Sequence, residues 1–207
     1  HQPRRQRQMC IRDRYNKKSG WQGCNLTEIN GGKCNTEEDF YKACRAASIL
    51  GTLQAGYTDF KFLTDTSKLI FDREALLGVS ITGWMNNPDI LFNERVLQKG
   101  AEIVKEVNKE VAKVIGINAA ARTTCVKPSG NASVLLQTAS GIHAEHSNMY
   151  IRNVQMNKES EITQAIMKTN PYMVEDSVWS AGGTDVVVSF PILPKKGSMY
   201  KLSLIHI

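Results

Sequence analysis

The 207-residue chain has no run of apolar residues near the ~18 that a membrane-spanning helix needs. Its longest hydrophobic-rich stretches are broken by Thr, Gly or Asn, so the sequence reads as that of a soluble protein with no membrane partner. It has no CxxC pair. Cys24, Cys34, Cys44 and Cys125 are spaced 10, 10 and 81 residues apart, which argues against a zinc site of the usual kind. Cysteine is also too sparse for a secreted disulfide scaffold, and reduced thiols in the cytoplasm are the expectation. No internal repeat and no low-complexity run occurs. With 42% hydrophobic and 22% charged residues, the proportions are globular, which excludes a disordered chain, collagen or a coiled-coil rod. The length suits one ordinary domain or two small ones.

A strong excess of charge is missing too, once the ends are set aside. The formal balance is +6, but residues 1–14 contribute five Arg and one Asp, leaving 21 Lys+Arg against 19 Asp+Glu. The basic signal is a tail rather than a surface, so nucleic-acid binding is not expected. Residues 3–14, PRRQRQMCIRDR, match the in-frame translation of a transposon-type sequencing adaptor. The last six residues, Leu202 to Ile207, match its reverse complement. Both ends are therefore expected to be adaptor-like and outside the fold (1–14 and 202–207). The remainder, 15–201, is expected to be an internal piece of a longer gene.

Within it, residues 24–30 (CNLTEIN) read as a short strand closed by Gly31-Gly32. Asn35, with Glu38 three residues on, reads as a helix N-cap; the helix carries Phe40, Ala43, Ala47 and Leu50 on one face and is expected to stop near Gly51. A second helix is expected around 66–77, and a strand bounded by glycines at 78–83. Asn86-Asn87-Pro88 reads as a turn. The clearest helix runs from about 92 to 115, with Val96, Leu97, Ala101, Val104, Val107, Val111 and Val114 as its core face. Residues 122–127 read as a β-branched strand, 132–138 as helical, 159–169 as a short amphipathic helix, and 186–190 as a buried strand. Strands alternating with helices imply an α/β architecture with mainly parallel pairing.

Three places carry candidate chemistry. A strand ending at Lys127 meets Pro128-Ser129-Gly130-Asn131 and then a helix. Free N–H groups and the dipole at a helix start favour an anion such as phosphate, and Ser129, Asn131 and Ser133 can add side-chain donors. It is not a Walker loop, because no Gly-Lys-Ser/Thr follows, and a plain capped turn is the competing reading. Cys24 at a strand end is either a core thiol or a redox residue. His143 and His146, with Glu145 between them, lack further ligands nearby, so structural hydrogen bonding outweighs a metal role and no metal is expected.

The ordered blocks GCNLTEIN, GTLQAGYTDF, DREALLGVSITGWMNNPDIL, RTTCVKPSGNASVLLQTASGIHAEHS, YIRNVQMNK and GTDVVVSFPI resemble the catalytic chain of ribonucleotide reductases. They are most similar to the adenosylcobalamin-dependent class II branch, and within it to the triphosphate reductases. The resemblance implies an α/β fold that is part of a ten-stranded α/β barrel, here the later half-barrel over 15–201, acting in the supply of deoxyribonucleotides for DNA. In that family a thiyl radical removes the 3′ hydrogen of the ribose, a carboxylate assists loss of the 2′ hydroxyl, and a cysteine pair supplies electrons. By resemblance, Cys24 matches one cysteine of the reducing pair and Leu26 a residue beside the substrate. Pro128, Ser129, Gly130, Asn131, Ala132 and Ser133 match the loop that grips the nucleotide phosphates. Adenosylcobalamin, a ribonucleoside triphosphate and a thioredoxin-type reductant are the implied cofactor, substrate and partner.

The departures carry weight. The radical cysteine and its carboxylate belong ten to fifteen residues before Cys24, yet no Asn-x-Cys-x-Glu stands there, and Glu28 is not that carboxylate. The second cysteine of the pair and most cobalamin contacts belong to the missing first half. Cys34, Cys44 and Cys125 match no family role and read as buried thiols. The alternatives are the class I diphosphate reductase large subunit and, from another class, a nucleotide-phosphate-binding module without catalysis.

Overall fold

The structure, a computed structural model of the chain, describes residues 10–127 and 129–201. The outer parts of the two adaptor-like ends, 1–9 and 202–207, and Pro128 lie outside the described residues. The described residues divide into two compact units. One runs to Ala144 and is rejoined by Lys195–Met199; the other spans Glu145–Pro194 with Tyr200 and Lys201.

The first unit opens with an antiparallel hairpin of β1 (Cys10–Tyr15) and β2 (Lys18–Gly23). Asn16 and Lys17 make its two-residue turn with φ of 49° and 65°, the positive values such hairpins need. Residues 10–14 of the segment read as adaptor are thus paired in this ladder. Next come β3 (Asn25–Asn30), α1 (Glu37–Ala55), α2 (Asp65–Glu74) and β4 (Leu77–Thr82). β3 and β4 pair in parallel, from Asn25 opposite Leu77 to Asn30 opposite Thr82. A short α3 (Pro88–Leu91) leads into α4 (Glu94–Ile115), capped by the Asn93 side chain. The chain then returns along the other edge of β4. Leu77 N–H donates to Arg122 O, Val79 N–H to Thr123 O, and Cys125 N–H to Val79 O. The expected strand at 122–127 is therefore an extended segment making a single parallel bridge, Val79 to Thr124, rather than a full ladder.

Helices α1 and α4 cover one face of this parallel layer. Ile29 and Val79 from the strands, Phe40, Cys44 and Ala47 from α1, and Val96 and Val104 from α4 form the buried core with Leu91. Each such aliphatic side chain contributes about 1.5–3 kcal/mol on burial. Gly100 sets the helix spacing: a Cβ there would lie 2.6 Å from the Phe40 ring and 3.1 Å from Cys44 Sγ.

Three expectations about these helices are corrected. The cap of α1 is Thr36, not Asn35, because Thr36 and Asp39 exchange side-chain hydrogen bonds in a capping box. The helix also runs past Gly51, which is buried and packs near Leu77 and Thr27. On α4 the buried stripe is Val96, Gly100, Val104, Val107, Asn108 and Ala112, while Val114 is exposed.

The second unit is a three-stranded antiparallel sheet in the order β5-β7-β6, from β5 (Tyr150–Asn157), β6 (Val174–Asp176) and β7 (Asp185–Ile192), with α6 (Glu161–Thr169) between β5 and β6. Val186 and Val188 are its fully buried residues. The expectation of mainly parallel pairing therefore holds only for β3, β4 and the 122–125 segment beside them. Eight residues, 177–184, join β6 to β7. That is too short for a parallel crossover, which needs a dozen or more, so these strands turn back on each other. The architecture as a whole is mixed α/β. Among the described residues no helix is long and apolar enough to cross a membrane.

Candidate functional site: the sheet face bearing Cys24

Side chains alternate along β3. Ile29 and Thr27 face the helices: Ile29 enters the core, and Thr27 Cγ2 lies against Gly51. Cys24, Leu26, Glu28 and Asn30 take the opposite face, away from α1 and α4. Gly78 on β4 stands between Cys24 and Leu26 on one side and Cys125 on the other. A Cβ at Gly78 would lie 2.5 Å from Leu26 Cδ2, 2.7 Å from Cys24 Sγ and 3.0 Å from Cys125 Sγ. Only glycine leaves room for both sulfurs. Two residues further along, Lys127 Nζ reaches across β4 to Glu28 Oε2 at 3.2 Å. The segment entering the expected phosphate turn thus lies on the same face as Cys24 and Leu26.

The turn itself is tightly tied. Ser129 and Ser133 are buried. Gly130 precedes α5 (Asn131–Leu135), a helix of five residues without a side-chain cap. The Ser133 hydroxyl donates to Gly130 O at 2.7 Å, and the Ser140 hydroxyl donates to Ser129 O. Ser133 therefore spends its donor on the turn and does not extend it outward, contrary to the sequence reading. The Ser129 hydroxyl is buried without a hydrogen-bond partner, as are Ser80 Oγ and Glu28 Oε1. Such groups cost about 1–3 kcal/mol each when left unpaired. Ala132 is partly exposed and its carbonyl accepts from Leu136 N–H.

All four central thiols are free and shifted upward in pKa. Burial, and then the neighbouring Cys125, push Cys24 to about 11. Burial and then Cys34 push Cys44 to about 12. Cys125 is raised by burial and by Glu28, opposed by Lys127. Cys34 is raised by burial and Asp39, opposed by Lys195. At neutral pH Cys24 is thus a neutral thiol, able to give up hydrogen but slow as a nucleophile until its proton is removed. Cys34 and Cys44 are buried as expected; Cys125 is only half-buried, because it borders the open face.

A cavity of about 350 Å³ lies on the helix side and is mainly apolar. Its lining includes Phe40, Trp84, Leu97 and Cys125 but neither Cys24 nor any residue from Ser129 to Ser133. His143 sits in a turn and is exposed. His146 packs edge-on against Tyr150, and Tyr150 donates to the buried Glu145 at 3.0 Å. No group of three or more His, Cys, Asp or Glu suited to a metal occurs among the described residues. Sequence reasoning missed the Glu28–Lys127 pair and the meeting of Cys24 with Cys125. The alternation of Cys24, Leu26 and Glu28, and of Thr123, Cys125 and Lys127, was the available signal, but it does not reveal which strands are neighbours.

Comparison with known proteins gives no matching family model. Two curated relatives align along most of the chain. One, from Dictyostelium discoideum, is a probable adenosylcobalamin-dependent ribonucleoside-triphosphate reductase, 28% identical over 180 residues and covering 84% of this chain. The other, from Euglena gracilis, is an adenosylcobalamin-dependent ribonucleoside-triphosphate reductase, 26% identical over 176 residues and covering 82%. The chain spans only 23% of the length of each relative. A crystal structure of a B12-dependent class II ribonucleotide reductase superposes with a TM-score of 0.65 at 16% identity, over 84% of this chain and 28% of that one. The resemblance read from the sequence is borne out: this chain is similar in sequence to adenosylcobalamin-dependent ribonucleoside-triphosphate reductases and in fold to a class II ribonucleotide reductase.

Proposed function

We propose that the chain is part of an adenosylcobalamin-dependent reductase that converts ribonucleoside triphosphates to 2′-deoxyribonucleotides in the cytoplasm. It contributes strands to one half of a ten-stranded barrel. The observation that carries the reading is the shared face: Cys24 and Leu26 lie at Gly78, and Lys127, which leads into the Ser129–Ser133 turn, pairs with Glu28, all on the side of the β3–β4 layer away from α1 and α4. That is the side on which a barrel would enclose its substrate.

In this reading the Ser129–Ser133 turn holds the phosphates, and Leu26 packs beside the nucleoside. Cys24 acts with a second cysteine outside this chain: two thiols give two electrons and two protons to the substrate and become a disulfide. A thioredoxin-type dithiol then returns the pair to its reduced state. A fixed anionic tail fits radical chemistry, which depends on a closely held substrate. When bound, adenosylcobalamin supplies the radical; no residue of this chain is assigned to it. The test is recovery of the gene on both sides, followed by assay of the whole protein. An upstream Asn-x-Cys-x-Glu and cobalamin-dependent deoxyribonucleotide formation support the proposal. A whole protein that binds triphosphates and lacks that motif is instead a binding module.

A further inference from the structure

We infer, resting on the reading of Ser129–Ser133 as the phosphate turn, that Glu28 and Asn30 are positioning residues, which fix that turn from the same strand that presents Cys24 and Leu26. The turn has little of its own to hold it in place. A Cβ at Gly130 meets nothing within 4 Å, and α5 is five residues long without a side-chain cap. Its place is set by ties on either side. Before the turn, Lys127 Nζ lies 3.2 Å from Glu28 Oε2, with the Glu28 side chain only 9% exposed. After α5, Asn30 Nδ2 donates to Leu136 O at 2.9 Å. Thr82, opposite Asn30 in the ladder, completes the clamp: its hydroxyl donates to Ala139 O at 3.0 Å and accepts from Gly141 N–H at 2.9 Å.

Glu28 and Asn30 follow Cys24 and Leu26 at alternate positions, so all four share one side of β3. At about 3.3 Å per residue, Glu28 stands about 13 Å along the strand from Cys24. One strand therefore indexes both ends of a bound nucleotide: Cys24 and Leu26 at the sugar, Glu28 and Asn30 at the segment that carries the phosphate turn. Such indexing matters because a misplacement of about 1 Å can cost on the order of 100-fold in rate. The positioning role is separable from folding. Replacing both members of a buried ion pair is often neutral for stability, whereas removing one is not. Stability and substrate affinity can therefore part company in the double variant.

The test measures KM, kcat and unfolding midpoint in the whole enzyme. Glu28→Gln and Asn30→Ala should each raise KM for the ribonucleoside triphosphate about tenfold, the worth of about one hydrogen bond, with kcat near wild type. The double variant Glu28→Gln with Lys127→Met should regain stability while KM stays raised. A KM that recovers together with the midpoint shows a merely structural pair and overturns the inference. So does a lower KM in Glu28→Gln, because a freed Lys127 would then be the phosphate's own partner. Gly130→Leu tells this failure from that of the turn itself. A raised KM in Gly130→Leu with wild-type KM in Glu28→Gln and Asn30→Ala overturns the positioning role alone. An unchanged KM in all three removes the phosphate turn and the positioning role with it. If Glu28→Gln does not fold, Asn30→Ala and the double variant decide.

Discussion

Lys127 Nζ and Glu28 Oε2 lie 3.2 Å apart across β4, with only 19% and 9% of their side chains exposed. The pair ties β3 to the segment that becomes the Ser129 turn. Removing one partner leaves the other charge largely buried, so Glu28→Gln or Lys127→Met should each destabilise by about 2–3 kcal/mol. The double variant should recover most of the loss. Urea midpoints of the three variants measure this, and single variants as stable as wild type would mean that the pair is solvated and structurally idle.

Asn108 is the polar hub of the α1–α4 interface. It is buried, donates to Thr52 Oγ1 at 2.9 Å, and accepts from Ala120 N–H at 2.8 Å. Asn108→Ala leaves the partly buried Ala120 N–H and the buried Thr52 hydroxyl without this partner and should cost about 1–2 kcal/mol. The Ala120 amide should exchange with solvent markedly faster in that variant. Unchanged exchange at Ala120 would show that the loop after α4 is held by other contacts.

Asn108 also marks what the sequence could and could not reveal. The 3.6-residue period of α4 was legible from Val96, Val104 and Val107, and the buried face followed. That Asn108 lies inside it, and that Val114 lies outside, depends on where α1 ends, which only the packing decides. The parallel β3–β4 unit was readable because helices separate its strands. The antiparallel β5–β7 pairing was less so: Val154 and Met156 alternate with Asn153, Gln155 and Asn157, but Ile151 is exposed and Arg152 partly buried, which blurs the pattern. Of the candidate site, Cys24 and the Ser129 turn were singled out from motif and resemblance. That Cys24, Leu26 and Cys125 meet at Gly78 came only from strand register, which sets Leu26 opposite Gly78.

Cys24 should be unreactive for its exposure. With its thiol raised from 9.0 to about 11, its alkylation rate at pH 8 should fall below that of a free cysteine and keep rising toward pH 11. The linked effect on stability has a definite sign. In the window from pH 9 to about 11 the folded chain holds a proton that the unfolded chain has lost. The contribution is full below pH 9 and is lost as pH rises through the folded value. Cys44 extends the same loss to about pH 12. Peptide-resolved iodoacetamide rates and denaturation at pH 8 and 10.5 check both. Rates that level off near pH 9 would place Cys24 in a solvent-like setting.

Gly130 offers the cleanest separation of fold from ligand. A Cβ there meets nothing within 4 Å, so a larger side chain does not collide with the protein itself. If the turn holds phosphates, the added bulk collides with the ligand instead. In the whole enzyme, Gly130→Leu should therefore raise KM about tenfold, equivalent to about 1.4 kcal/mol, with unfolding midpoint unchanged. Cys24→Ser should behave oppositely, leaving KM near wild type while abolishing repeated turnover with a dithiol reductant. On the proposed reading the 207-residue chain alone should form no deoxyribonucleotide, since no Asn-x-Cys-x-Glu occurs in it and that reading assigns the partner of Cys24 to another part of the protein. An unaltered KM in Gly130→Leu would move the phosphates away from this turn, and undiminished turnover in Cys24→Ser would remove that sulfur from the electron path.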